Sequence, residues 1–220
     1  MQADTIGLLG GTGRFGRGLA LRLAANDHDV LVGSRSANRA RAAASHIRQK
    51  VPGARIRGTT NAEAAARSDF VFITLPIDAV DPVLSEVRTD LTGKVVVDVA
   101  NPIRLHDGRF EVAPLPEGSA AEHIQHRLPG VPLVSALKTV SADAFAAIEV
   151  PLQGDLFICG DDDGSKATVA KLLGGLGGRV IDLGALTMAR DLEHVVAMLL
   201  NLNRRFKAST SIRIVGLRAR

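Results

Sequence analysis

The sequence predicts an α/β protein built on a doubly wound parallel sheet with a small C-terminal domain, and three observations carry that expectation. The short apolar stretch from Thr5 to Leu9 runs into the glycine cluster Gly10-Gly11-Thr12-Gly13-Arg14-Phe15-Gly16, and at once into the amphipathic Leu19-Ala20-Leu21-Arg22-Leu23-Ala24. That order reads as strand, tight turn, helix. Apolar runs of strand length then alternate with helical patterns along the chain, as βαβ units do. Two of them, Asp69 to Leu75 and Lys94 to Val99, are nearly all apolar, as strands buried on both faces should be.

Asn26-Asp27-His28 makes a turn into a second strand, Asp29 to Gly33, and the Ala- and Arg-rich residues 36–50 form the next helix, stopped by Val51-Pro52-Gly53. A weak strand from Ala54 to Gly58 precedes a short helix that Asn61 can cap. The buried strand ending at Leu75 stops at Pro76, a helix covers about 77–88, and the following strand ends at Ala100-Asn101-Pro102. Ile103 to Pro116 is irregular and is expected to be a loop placed as a lid. A helix is expected from Gly118 to Leu128, with His123 and His126 on a solvated face. A sixth strand covers Val131 to Leu137, a helix 140–150, a strand Gly154 to Gly160, a helix 165–173, a strand Gly178 to Leu183, and a long helix 188–203. The Asp161-Asp162-Asp163 run suits a helix cap and dipole better than a cation loop, and no metal site is expected. The boundary between a dinucleotide domain (1–145) and the small C-terminal domain (146–220) falls near 140–153.

The three glycines of Gly11-x-Gly13-x-x-Gly16 serve, in order, the tight turn, backbone approach to a pyrophosphate, and close packing of helix on strand. Thr12, Arg14 and Phe15 sit within that turn, and the bare amides and positive dipole end of the helix face the phosphates. The second strand ends in Ser34-Arg35, with Arg39 one helical turn on. An NAD-preferring fold places an acid there; a hydroxyl and a planar guanidinium fork suit a 2′-phosphate, so the cofactor expected is NADP. Ligands of such sheets lie beyond the carboxyl ends of the strands. Leu75, Pro76, Asn101, Pro102 and Ala136 therefore become candidates to line the cofactor, and Lys138 is delivered to the same edge, facing the reacting rings.

Composition bounds the remainder. The chain has 220 residues, 46% apolar content and 22 glycines, enough for a full core. No apolar run is long enough to span a bilayer and no signal pattern opens the chain, so a cytoplasmic protein without a membrane partner is expected. Cys159, within an apolar run, reads as an inert buried thiol. The net charge of +4 favours anionic ligands, but with 3% aromatic residues and no Tyr or Trp a nucleic-acid stacking platform is lacking. The basic tail (Arg204, Arg205, Lys207, Arg213, Arg218, Arg220) reads as solvated surface.

Gly10-Gly11-Thr12-Gly13-x-x-Gly16-x-Gly18-Leu19-Ala20-Leu21-Arg22-Leu23-Ala24, Gly33-Ser34-Arg35, Val134-Ser135-Ala136-Leu137-x-Thr139 and Cys159-Gly160-Asp161-Asp162-Asp163 together resemble the NADPH-dependent reductases of the deazaflavin coenzyme F420, over nearly the whole chain. The resemblance implies a Rossmann domain with a small C-terminal domain, a homodimer, and reversible hydride transfer between NADP(H) and coenzyme F420. It also implies phosphate-binding glycines at Gly11, Gly13 and Gly16 with Thr12 and Arg14, a 2′-phosphate clamp at Ser34 and Arg35, and the late-helix arginine at Arg190. The chain departs from the pattern at Lys138, generally His, and at His194 and Val196, where archaeal members carry small hydroxyl residues. Lys138, with Arg190 and His194, is expected to stabilise charge on the reduced ring. Two alternatives stay open: another acceptor (a flavin, an imine or a conjugated carbonyl), or a non-catalytic NADP sensor.

Overall fold

The computed structural model describes residues 4–217; Arg218 and Arg220 of the basic tail lie outside them. In chain order the elements are β1 (Thr5–Leu9), α1 (Arg14–Ala25), β2 (Asp29–Ser34), α2 (Ala37–Lys50), β3 (Ile56–Thr60), α3 (Asn61–Ala66), β4 (Phe70–Ile73), α4 (Val80–Val87) and β5 (Val95–Asp98). Then come β6 (Ile103–His106), β7 (Arg109–Val112), α5 (Ala120–Arg127), β8 (Leu133–Ala136), α6 (Ala142–Ala146), β9 (Asp155–Gly160), α7 (Asp163–Gly174), β10 (Arg179–Asp182) and α8 (Ala189–Phe206). One eight-stranded sheet has the order β10-β9-β8-β5-β4-β1-β2-β3. Side chains alternate between two cores, as strands covered on both faces require. Ile6, Leu8, Phe70, Phe72, Leu156 and Ile158 meet α1, α2, α6 and α7. Leu9, Val71, Ile73, Phe157 and Cys159 meet α3, α4, α5 and α8.

The sheet departs from all-parallel at one pair. β9 runs antiparallel to β8, with Val134 opposite Gly160 and Ala136 opposite Ile158. The cause is α6, which has only 5 residues where the sequence pattern suggested a helix over 140–150. At 1.5 Å per residue it rises about 7.5 Å, too little to carry the chain back across the sheet. β9 therefore enters from the edge that β8 has just left, and β10 pairs parallel to it. The sheet runs on through both sides of the 140–153 segment, and Asp155 at the start of β9 lies at the carboxyl edge of the parallel strands.

A buried arginine ends α6. Arg22 on α1, 4% exposed, donates from Nη2 to the carbonyls of Ala144 at 2.9 Å, Ala147 at 2.6 Å and Val150 at 3.0 Å, and from Nε to Phe145 at 3.3 Å. Four carbonyls at and beyond the end of this short helix thus find a donor in one buried side chain. In the α1 stripe the leucines are ordinary core; Arg22 is the link to the following segment.

The stretch expected as an irregular lid is instead a two-stranded hairpin, β6 with β7, tethered to α8. Asn201 accepts from the Phe110 amide at 2.9 Å and donates to its carbonyl at 2.7 Å, and Arg204 donates to Gly108 O at 2.9 Å. The signal was present but short: Ile103-Arg104-Leu105-His106 and Arg109-Phe110-Glu111-Val112 alternate apolar and polar on either side of the Asp107-Gly108 turn, whose two residues have positive φ, over only four residues each. His123 departs from its expected solvated face: its ring bridges Asp81 at 2.8 Å and Glu117 at 3.0 Å.

Candidate active site

The site grows from the turn after β1. Gly10 has φ +76°, a left-handed conformation that glycine adopts without a Cβ penalty, and its amide is held by Asn61 Oδ1 at 3.1 Å. Gly11 donates to Gly33 O at 2.9 Å and to Leu8 O at 3.1 Å, and Gly13 donates to Gly10 O at 3.0 Å. The turn is thereby fixed before any ligand arrives. A Cβ on Gly16 would lie 2.7 Å from Gly11 Cα and 2.9 Å from Thr74 Oγ1, so only glycine lets α1 rise this close to the turn.

What α1 lacks is as informative. Helices α2, α3, α5, α6 and α7 are each capped by a side chain, from Ser36, Thr60, Ser119, Ser141 and Asp162, and α4 and α8 are led in by 3-10 turns at Ile77–Ala79 and Leu186–Met188. Helix α1 begins at Gly13 with no side-chain cap and no acid in its first turn. Its first amides and dipole end are left for an external anion. Beside it opens a cleft of about 500 Å³, lined by Gly10, Thr12, Gly13, Ser34, Arg35, Arg39, Asn61, Leu75 and Pro76 among others. Ser34 Oγ stands 3.4 Å from Thr12 Oγ1 and accepts from Ser36 N at 3.2 Å. Among the described residues, the exposed guanidiniums of Arg35 and Arg39 enter no ion pair, whereas Arg14 is tied to Asp143 at 2.6 Å.

Several expected residues are placed otherwise. Arg14, bound to Asp143, lines a second cleft between α1, α2 and α6. Phe15 turns inward and packs edge-on against Phe145 with centroids 5.3 Å apart. Ala136 is wholly buried, its backbone engaged in the β8–β9 ladder, so it forms floor and not lining. Asn101 does stand at the strand ends, its Nδ2 donating to Lys138 O at 3.1 Å, and Pro102 beside it is buried, its carbonyl accepting from Ala113 N at 2.6 Å.

The expected catalytic trio is not brought together. The Lys138 side chain has no exposed surface and turns inward, Nζ lying 2.8 Å from Asp98 Oδ2 and 3.1 Å from Glu193 Oε1 and donating also to Ala100 O. Its three donors are all taken, so it has none for a bound ring. Burial works against the Lys138 charge, but the acidic surroundings, Asp98 foremost, outweigh it and hold the ammonium above its ordinary value. Arg190 forks onto Glu122 at 2.7 and 2.5 Å. Burial opposes that carboxylate, yet Arg190 and Ser119 keep it below the usual range. His194 Nδ1 lies 2.8 Å from Arg190 O and donates there, leaving Nε2 free. The α8 residue that reaches Lys138 is Glu193, which sequence reasoning passed over. Asn61, expected to cap α3, leaves that place to Thr60, and its Oδ1 holds the Gly10 amide instead; Asp98 was passed over, its signal being an acid inside an otherwise apolar strand. Cys159 is buried as expected, its thiol pushed up to about 11 by desolvation.

Residues 5–102 match the family model described as NADP oxidoreductase coenzyme F420-dependent. The F420-dependent NADP reductase of Methanocaldococcus jannaschii is 34% identical, covering 96% of this chain and 98% of its own. That of Methanothermobacter thermautotrophicus is 35% identical, covering 96% and 95%. A solved structure from Arthrobacter sp. FB24, provisionally described as an F420-dependent NADP reductase, is 28% identical with a TM-score of 0.82, covering 98% of this chain and 100% of that one.

Proposed function

The chain belongs to the F420-dependent NADP reductase family, and from that premise we propose that it transfers a hydride between NADP(H) and the deazaflavin coenzyme F420. The observation that carries the NADP half is the uncapped, glycine-bounded start of α1 beside the unpaired guanidiniums of Arg35 and Arg39. The residues present fit the dinucleotide: a Cβ on Gly13 would meet only Gly10 O, at 3.4 Å, so the space before the helix is open to a phosphate. The deazaflavin half is supported by likeness to relatives named for that reaction across nearly the entire chain.

The two coenzymes supply the redox chemistry, one as hydride donor and the other as acceptor. The protein's part is holding, aligning and drying. The amides of Arg14, Phe15 and Gly16 at the start of α1 bind the pyrophosphate. Thr12, Ser34, Arg35 and Arg39 bind the 2′-phosphate through hydroxyl and guanidinium donors. Asn61 orients the Gly10 peptide, Leu75 and Pro76 bound the cleft beside it, and Asn101 with its turn floors the nicotinamide end. Arg190 and His194, one turn apart on α8, stay outside that floor, Arg190 forked onto Glu122 and His194 turned to the Arg190 carbonyl.

We place the working form as a homodimer in the cytoplasm. A half-exposed to exposed apolar stripe on α8, Val195, Met198, Leu202 and Phe206, supports the pairing, and a lone cysteine kept as a buried thiol needs no oxidising compartment. Among the described residues no helix is long and apolar enough to cross a membrane. The test is bleaching of oxidised deazaflavin absorbance on adding NADPH, with NADH in parallel. Turnover with NADPH and little with NADH is expected; NADPH binding without bleaching would refute the acceptor, and equal use of NADH would refute the role of Arg35.

A further inference from the structure

Two carboxyls and one ammonium are sealed together beneath the strand ends. Asp98 closes β5, Lys138 follows β8 and Glu193 lies on α8, and none of the three side chains has exposed surface. Their bonding is unequal. Asp98 Oδ1 accepts from Ala100 N at 2.8 Å, and Oδ2 meets Lys138 Nζ at 2.8 Å and Ser135 Oγ at 3.4 Å. Glu193 Oε1 accepts from Ala120 N at 2.9 Å and from Lys138 Nζ at 3.1 Å, whereas its Oε2 has no partner.

Fully ionised, the cluster would carry one uncompensated negative charge away from water, which is costly. The other elements packed here do not balance it. From α5 comes the Ala120 amide; Glu122, two residues on, is neutralised by its own pairing with Arg190. From β9 comes Cys159, a neutral thiol, and on α8 itself His194 is turned to the Arg190 carbonyl. Asp98 has the donors a carboxylate needs; Glu193 has an idle oxygen.

We propose that Glu193 is a neutral carboxylic acid at neutral pH and that, with Asp98 and Lys138, it is a positioning unit for hydride transfer. The extra proton rests on Oε2, leaving Oε1 to accept from both donors. Lys138 then pairs with Asp98 and grips Ala100 O, while its own carbonyl holds Asn101 Nδ2 at 3.1 Å. The Ala100–Asn101 turn is thus locked to β8, and Glu193 Oε1 ties the start of α5 to α8. Burial raises the Glu193 carboxyl above its ordinary range, in the same direction. The positioning role rests on reading the strand-end floor as the nicotinamide site; the protonation state does not.

The test uses the whole chain, Glu193→Gln and Glu193→Ala. Infrared spectroscopy at pH 7 is expected to show the carbonyl stretch of a protonated carboxylic acid that Glu193→Gln removes. Glu193→Gln, which presents a carbonyl to the same donors, is expected to keep hydride-transfer rate and melting temperature. Glu193→Ala is expected to lower kcat by about tenfold or more through misplacement of the floor, with the Kd of 2′,5′-ADP, which reads only the adenosine end, unchanged. No acid band in the wild type, or a Glu193→Gln protein as impaired as Glu193→Ala, would overturn the neutral acid. Unchanged kcat in Glu193→Ala would overturn positioning; if that variant does not fold, the kcat of Lys138→Met at an unchanged 2′,5′-ADP Kd decides it the same way. A wild type that binds 2′,5′-ADP but transfers no hydride would refute the functional reading and the positioning role that rests on it, while the infrared result would still decide the protonation state.

Discussion

Gly13→Ala and Gly16→Ala should part company, although both alter one fingerprint. A Cβ at Gly13 meets only Gly10 O at 3.4 Å, and the residue's φ of −66° and ψ of 168° are open to alanine. Two opposing effects act on stability: alanine is a poorer N-cap than glycine by roughly 0.5–1 kcal/mol, and the stiffer unfolded chain returns about 0.4–1 kcal/mol. Folding should therefore change by less than about 1 kcal/mol. Binding is another matter, because the methyl stands where phosphate oxygens meet the first amides of α1. Loss of one charge-assisted hydrogen bond, about 1.5–3 kcal/mol, raises the NADPH Kd roughly 10- to 150-fold. At Gly16 the methyl would lie 2.7 Å from Gly11 Cα, a backbone atom that cannot swing aside. Relief must push α1 off the turn, at about 1–3 kcal/mol of overpacking strain, and binding falls with it. Thermal melts and fluorescence titration with NADPH measure both quantities. A Gly13→Ala protein that binds NADPH as the wild type does would show that no phosphate comes near this backbone.

Three further outcomes are expected. Arg35→Ala removes an unpaired guanidinium, so the Kd of NADPH should rise about 10- to 150-fold while NADH binding holds steady; titration of the two nucleotides decides. Arg22→Met takes the donor from the carbonyls of Ala144, Phe145 and Val150, and one of two from Ala147, and should cost roughly 2–4 kcal/mol, visible as a lower melting temperature; an unchanged melt would mean water replaces the guanidinium. The Asp155 carboxyl is held below the usual range by the Arg179 fork, at 2.7 Å on both oxygens, and by the Ile214 amide. Its contribution is complete above the ordinary carboxylate value and disappears as pH falls through the depressed one, so denaturation midpoints should drop below about pH 4, and Asp155→Asn should show a shallower drop.

Local chemistry explains which features were legible in the chain. Apolar runs such as Phe70–Ile73 and Val95–Val97 mark strands because a sheet covered on both faces admits little else, and the glycine spacing marks the cradle because backbone geometry imposes it. The position of Ser34 and Arg35 beside the cleft was readable since the end of the second strand is a fixed place in such sheets. The hairpin of β6 and β7 left only a faint trace, four alternating residues on each side of Asp107-Gly108, and its tether to Asn201 and Arg204 lies some ninety residues away. Arg22 and Glu193 were hidden because their partners are distant in the chain. Each sits on an amphipathic helix where a charge suggests a solvated face, and only the packing reveals what it touches.

The sequence by itself determined where the eight strands of the main sheet lie and the tight glycine turn that leaves the start of α1 uncapped, since each depends on near neighbours in the chain. Tertiary structure alone decided the reversed direction of β9, through the brevity of α6, and the fate of Lys138. A lysine after a strand can face solvent, a ligand or the interior with the same local sequence; the arrival of Asp98 and Glu193 from distant elements turned it inward.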